Sequence, residues 1–107
     1  MILDCAKVTI GDNVLFGPKV GIYLANHATV AEERNAGGCY AKSVTIGNNV
    51  WIGGGVNINQ GVTIGNNTII GSGSVVTKSI TDNVIAVGNP CRVLREITES
   101  DRTGFLG

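Results

Sequence analysis

The chain has 107 residues, eight basic and eight acidic side chains, and a single histidine. That length allows one modest domain, and balanced charge gives no electrostatic attraction to nucleic acid or to an anionic membrane. No run approaches the roughly eighteen unbroken apolar residues of a membrane span, and the N-terminus lacks the basic, apolar and small-residue succession of a signal peptide. A soluble, cytoplasmic protein is expected. Cys5, Cys39 and Cys91 are widely spaced with no C-x-x-C, which fits buried or bystander thiols in a reducing compartment better than a zinc site or a disulfide framework.

Residues 1 to about 23 place apolar side chains at every sixth position, Ile10, Phe16 and Ile22, with Val8, Val14 and Val20 two residues ahead of each. A period of six fits neither an amphipathic helix nor a long half-buried strand, but suits a short strand and a turn repeated along the chain. Ile2 is already in phase with Val8, so Met1-Ile2-Leu3 falls inside a coil and an exposed strand edge is expected at this end. Such an edge invites pairing with another chain, which favours an oligomer.

Residues 24 to 43, LANHATVAEERNAGGCYAKS, break the pattern with charge and Gly-Gly, as a loop projecting from a corner would. The interval from Val8 to Val44 equals two coils, or one coil plus an insertion of the same length. Polar composition favours the insertion. From 44 to about 88 the repeat resumes through Ile46, Ile52, Ile58, Ile64, Ile70 and Val76, preceded by Val44, Val50, Val56, Val62, Thr68 and Ser74, with Ile80 assigned to this second set.

VTIGNN occurs at Val44 and again at Val62, so three hexapeptides return the chain to the same face and make one triangular coil. Gly after the aliphatic residue and Asn-Asn pairs read as corners that tolerate positive φ. Parallel coils about 4.8 Å apart would stack each inward aliphatic on its counterpart. The reading is an all-β parallel β-helix over 1–88, whose hand the period does not set. Beyond Gly88, Asn89-Pro90 ends strand geometry, and the spacing of Val93, Leu94 and Ile97 predicts a short C-terminal helix within 89–107 that caps the last coil.

Chemistry is sparse. His27 lies in the projecting loop, where a rigid scaffold commonly mounts reactive groups, and imidazole suits the removal of a hydroxyl proton near neutral pH. An incidental surface histidine is the competing reading. A zinc site built on three histidines, as in a β-helix carbonic anhydrase, is excluded by the single histidine.

The ordered set ILDCAKVTIGDNV, YLANHATVAEERNAGGCYAK, VTIGNNVWIGGG, GSGSVVTK and GNPCRVLREI resembles the maltose and galactoside O-acetyltransferases of the hexapeptide-repeat family, over residues 2 to about 97. That resemblance implies a left-handed parallel β-helix and a homotrimer with active sites between neighbouring subunits. It also implies acetyl transfer from acetyl-CoA to a sugar hydroxyl without a metal. Carried over position by position, it makes His27 the general base and places Asp4 against the acceptor and Trp51 near the pantetheine arm and the histidine. Gly54, Ser72, Thr77 and Lys78 would line the coenzyme groove, and Arg92 and Arg95 would meet the coenzyme phosphates.

Alternatives stay open at several of these positions. Asp4 could be a corner residue bonding its own backbone, Trp51 a packing residue, and the two arginines part of a solvated face. The family carries a further N-terminal segment ahead of the point where this chain begins, which contributes to the acceptor pocket. A non-catalytic β-helix scaffold and an O-acetyltransferase acting on an antibiotic hydroxyl are therefore kept beside the sugar enzyme.

Overall fold

The structure is a computed structural model that describes residues 6–106, so Asp4 and Cys5 lie outside the described residues. One coil is made by β1 (Val8–Ile10), β2 (Leu15–Phe16) and β3 (Gly21–Ile22). The chain then leaves the coil as a hairpin of β4 (Ala25–His27) and β5 (Cys39–Ala41), with the short helix α1 (Ala31–Asn35) at its tip. Two coils follow: β6 (Val44–Ile46), β7 (Trp51–Ile52) and β8 (Asn57–Ile58), then β9 (Thr63–Ile64), β10 (Ile69–Ile70) and β11 (Val75–Val76). The chain ends in β12 (Val84–Gly88) and β13 (Cys91–Glu96).

Three sheets form the faces of a triangular prism. Sheet A runs β1-β6-β9, sheet B β13-β12-β10-β7-β2 and sheet C β11-β8-β3. Pairing is parallel throughout these faces except between β12 and β13. Val8 pairs with Val44 and Ile10 with Ile46, so the interval between them is one coil plus an insertion.

The core is the stacked ladder that the period of six requires. Ile52, Ile58, Ile64, Ile70 and Val76 are fully buried, together with Val44 and Val56 in the second set. Each such side chain contributes about 1.5–3 kcal/mol by leaving water. Thr68 and Ser74 occupy the same second set without an orphaned hydroxyl. Thr68 Oγ1 donates to the Thr81 carbonyl at 2.9 Å, and Ser74 Oγ donates to the Gly71 carbonyl while accepting from the Gly88 N–H at 3.0 Å. In the first coil Val14, Val20 and Ile22 are half-buried and Val8, Ile10 and Phe16 exposed, since β1, β2 and β3 stand at the ends of their sheets.

Corner chemistry departs from the expectation in an informative way. At the corners after sheets A and B, the residue after the aliphatic is glycine at Gly11, Gly17, Gly47, Gly53, Gly65 and Gly71 because the coils touch there, not because φ is positive. A Cβ on Gly53 would sit 2.6 Å from the Ser72 nitrogen, and one on Gly17 would sit 2.4 Å from the Gly54 nitrogen. Positive φ falls instead three residues after eight of the ladder residues, at Asn13, Lys19, Asn49, Gly55, Gly61, Asn67, Gly73 and Asn83. The asparagines there form a hydrogen-bonded ladder from Asn13 through Asn49 and Asn67 to Asn83, with links of 3.2, 3.1 and 3.0 Å.

Two expectations are corrected. Ile80 belongs to the first ladder rather than the second: it bridges to Ile64, and Ala86 pairs with Ile70, so the last coil is two residues short at the corner after β11. The tail is not helical as expected. Cys91–Glu96 is a strand hydrogen-bonded antiparallel to β12, followed by a single 3-10 turn at Glu99–Asp101. The free edge of β12 supplies a row of backbone partners, which outweighs the helical spacing of so short a segment.

Candidate functional site

Sheet B carries one group of candidate residues on its outward face. Val50 and Ile52 point into the core, so Trp51 between them points out and is 53% exposed. Parallel register places Leu15, Trp51, Ile69 and Ile85 in one outward column, and the antiparallel partner of Ile85 is Arg95. Three strand spacings separate Trp51 from Arg95, about 14 Å.

A β-bulge decides where the arginines point. Val87 pairs with Arg92, Ala86 with Val93 and Ile85 with Arg95, leaving Leu94 as the extra residue. Val84 and Ala86 are buried, so the partners of Ile85 and Val87 face outward. Three residues apart on a regular strand, Arg92 and Arg95 would lie on opposite faces. The bulge brings both to the outward face that holds Trp51. Gly54 and Ser72 sit at the adjoining corner, one coil apart, where the glycine-rich stacking described above keeps backbone accessible.

The second group stands at the corner after sheet C. The β4–β5 hairpin rises from this corner, with His27 paired to Cys39 and the Ala28 N–H donating to the Gly38 carbonyl at 2.9 Å. Arg34 Nη1 donates to the Ala28 and Thr29 carbonyls at 3.4 and 3.3 Å, tying α1 back to the segment that follows β4. His27 is exposed, and its backbone N–H donates to Asn26 Oδ1 at 2.9 Å. Beside it a cleft of about 370 Å³ is lined by Tyr23, Ala25, Asn26, Asn59, Gln60 and Thr77. Lys78 is exposed at the next position, on the shortened corner.

The fold thus brings together Trp51, Gly54, Ser72, Arg92 and Arg95, and separately His27, Thr77 and Lys78, with sheet C between the two sets. Six residues from one corner to the next span at most about 20 Å. Along the prism axis both sets run in the same order. His27 is level with the first coil, Trp51 and Gly54 with the second, Ser72, Thr77 and Lys78 with the third, and the arginines lie at the C-terminal end. Among the described residues no three His, Cys, Asp or Glu side chains are grouped to hold a metal ion.

Electrostatics pick out the tail. Arg95 Nη2 donates to Asp101 Oδ1 at 2.8 Å and Nη1 to Oδ2 at 2.9 Å. These bonds, with one from the Thr98 N–H, hold the Asp101 carboxyl down at about 2. Burial pushes the Cys91 thiol up, partly offset by a hydrogen bond with Ser74, as suits an inert packing residue. Sequence reasoning did not single out Tyr23, Asn26, Asn59, Gln60 or Asp101. Asn59-Gln60 was visible in principle, because polar side chains replace the Gly that follows the aliphatic at the other corners. Asp101 depended on the strand that sequence reasoning took for a helix.

Known proteins are similar to this chain over most of its length. The family described as bacterial transferase hexapeptide (six repeats) matches residues 43–78. The galactoside O-acetyltransferase of Escherichia coli (strain K12) is 54% identical over 101 residues, 94% of this chain and 50% of that protein. That of Lactococcus lactis subsp. lactis is 47% identical over 100 residues, 94% of this chain and 48% of that protein.

Among solved structures, a galactoside acetyltransferase in complex with coenzyme A superimposes with a TM-score of 0.86 at 56% identity, over 88% of this chain and 47% of that one. A maltose O-acetyltransferase from Clostridium difficile 630 gives 0.86 at 57% identity, over 92% of this chain and 52% of that one. The chain belongs to the hexapeptide-repeat acetyltransferases, and its fold is their left-handed parallel β-helix. Within them it corresponds to a segment of the maltose and galactoside O-acetyltransferases, and it spans about half the length of the curated relatives it matches.

Proposed function

We propose that this chain forms the coenzyme-binding and catalytic part of an acetyl-CoA-dependent O-acetyltransferase acting on a hydroxyl of a sugar or similar small acceptor in the cytoplasm, where acetyl-CoA is made and used. The observation that carries the reading is the axial order of the two corner sets. Each runs from a group near the first coils suited to the reacting end, His27 in one and Trp51 in the other, to cationic groups near the last coil suited to phosphates.

One chain holds these sets on different corners, so a site using both forms between neighbouring copies. A closed cyclic assembly joins unlike surfaces head to tail, and a homotrimer of prisms is the arrangement proposed. The apolar outward column of Leu15, Trp51, Ile69 and Ile85 is a surface such packing would cover.

In the reaction, His27 takes the proton from the acceptor hydroxyl as its oxygen attacks the thioester carbonyl of acetyl-CoA. When the tetrahedral adduct collapses, the C–S bond breaks and the proton returns from the imidazolium to the departing thiolate. Acetyl ester and free coenzyme A are the products, and no acyl-enzyme is needed. Positioned general-base catalysis of this kind is worth about two to four orders of magnitude in rate. Gly54, Ser72 and Thr77 border the coenzyme, Lys78, Arg92 and Arg95 take its phosphates, and Asp4 faces the acceptor.

The test follows thiol release from acetyl-CoA with maltose, glucose, a galactoside and chloramphenicol as acceptors, beside His27→Ala. Acceptor-dependent release that the substitution abolishes supports the reading and ranks the acceptors. Coenzyme binding without release would make this segment a scaffold that retains only the coenzyme half of the site.

A further inference from the structure

The Arg95 guanidinium has five N–H donors, and the tail commits three of them. Nη1 donates to the Glu96 carbonyl at 3.1 Å and to Asp101 Oδ2 at 2.9 Å, and Nη2 donates to Asp101 Oδ1 at 2.8 Å. Among the described residues the Nε–H and the second Nη2–H remain. These two lie on one edge of the guanidinium plane and form the fork that binds a phosphate through two parallel hydrogen bonds.

Asp101 is itself fixed. Its Oδ2 accepts the Thr98 N–H at 2.9 Å, and its own backbone N–H donates to the Thr98 carbonyl at 3.0 Å, closing the 3-10 turn. Its side chain is 31% exposed, against 50% for Arg95. The strand bulge therefore sets the face on which Arg95 stands, and the 3-10 turn, through the paired bonds between Thr98 and Asp101, sets the carboxylate that fixes the guanidinium plane.

We infer that Asp101 is a positioning residue for coenzyme binding: it holds the Arg95 fork so that its remaining edge is presented to a phosphate group. The inference rests on the reading of Arg95 as a phosphate ligand. Asp101 touches no substrate. It acts by removing rotamers from a long side chain before the ligand arrives, which lowers the ordering cost of binding. The opposing effect is repulsion between its carboxylate and the incoming phosphate, and the two effects change affinity in opposite directions.

The experiment is calorimetric titration of the full chain with coenzyme A, on the wild type, Asp101→Asn, Arg95→Ala and the double variant, with thermal midpoints measured alongside. Positioning predicts that Asp101→Asn weakens binding about three- to tenfold and adds nothing in the Arg95→Ala background, since coupled residues are not additive. Unchanged or tighter binding in Asp101→Asn overturns the inference and leaves a surface ion pair or a competitor of the phosphate. Equal weakening in both backgrounds also overturns it, because the tail turn would then act without Arg95. If Arg95→Ala alone leaves affinity unchanged, the phosphate reading of Arg95 falls, and the positioning role falls with it.

Discussion

The triplet Gly53-Gly54-Gly55 offers a direct test of how the coils are held, because adjacent glycines are required for different reasons. A Cβ on Gly53 would lie 2.6 Å from the Ser72 nitrogen and 2.8 Å from its Cα, backbone atoms that cannot rotate away. A Cβ on Gly55 meets nothing closer than 4.0 Å, but its φ of +70° is unfavourable for an L residue. Gly55→Ala should therefore cost about 1–2 kcal/mol. Gly53→Ala forces two coils apart and should cost about 3 kcal/mol or more, the upper end of overpacking penalties. Gly55→Asn, matching the residues at Asn49 and Asn67, should recover part of the first loss and would do nothing for the second. Urea unfolding followed through Trp51 fluorescence, at one fixed protein concentration, gives both values. A Gly53→Ala variant no less stable than Gly55→Ala would refute the claim that steric contact between coils selects glycine after the aliphatic at this corner.

Ile58→Ala removes a fully buried side chain stacked between Ile22 and Val76 and should destabilise by about 2–5 kcal/mol in the same assay, whereas Ile22→Ala, half-buried on the first coil, should cost less. The clasp between Arg95 and Asp101 lowers the folded-state pKa of the carboxyl from 3.8 to about 2. Its stabilisation is thus complete above about pH 4 and is lost as pH falls through 2. NMR titration of the Asp101 carboxyl should show that low midpoint, and Arg95→Ala should return it toward 3.8.

The solenoid was legible because its core is periodic. Every buried ladder position from Val44 to Val76 could be named from the sequence, and the repeated VTIGNN set the coil length. Signals that act at a distance were not legible. Ile80 keeps its hydrophobicity while two residues vanish from the preceding corner, and only the bridge to Ile64 reveals the slip. VLREI has helical spacing and only Cys91-Arg92-Val93 before it alternates, so the free edge of β12, not the local pattern, decides for a strand. For the site, residue types and order pointed to His27, Trp51, Lys78 and the arginines. That they divide between two corners follows from counting which strand each one precedes or follows. The bulge at Leu94, which turns Arg92 and Arg95 to one side, has no sequence signal at all.

That division makes the proposed assembly testable without a structure of it. His27→Ala disables the corner after sheet C, and Arg92→Ala with Arg95→Ala disables the outward face of sheet B. If each site takes one corner from each of two neighbours, co-refolding equal amounts of the two inactive variants should restore activity. A site works only where an intact His27 corner from one variant meets intact arginines from the other, which random mixing in a cyclic trimer makes about a quarter of all sites. The measured quantity is thiol release relative to wild type at matched total protein, with each variant refolded alone as the baseline. Were the coenzyme instead to wrap around sheet C within a single chain, every subunit in the mixture would carry a defect in its own site. Mixing would then restore nothing, and the intersubunit site would have to be abandoned even if the protein proved trimeric.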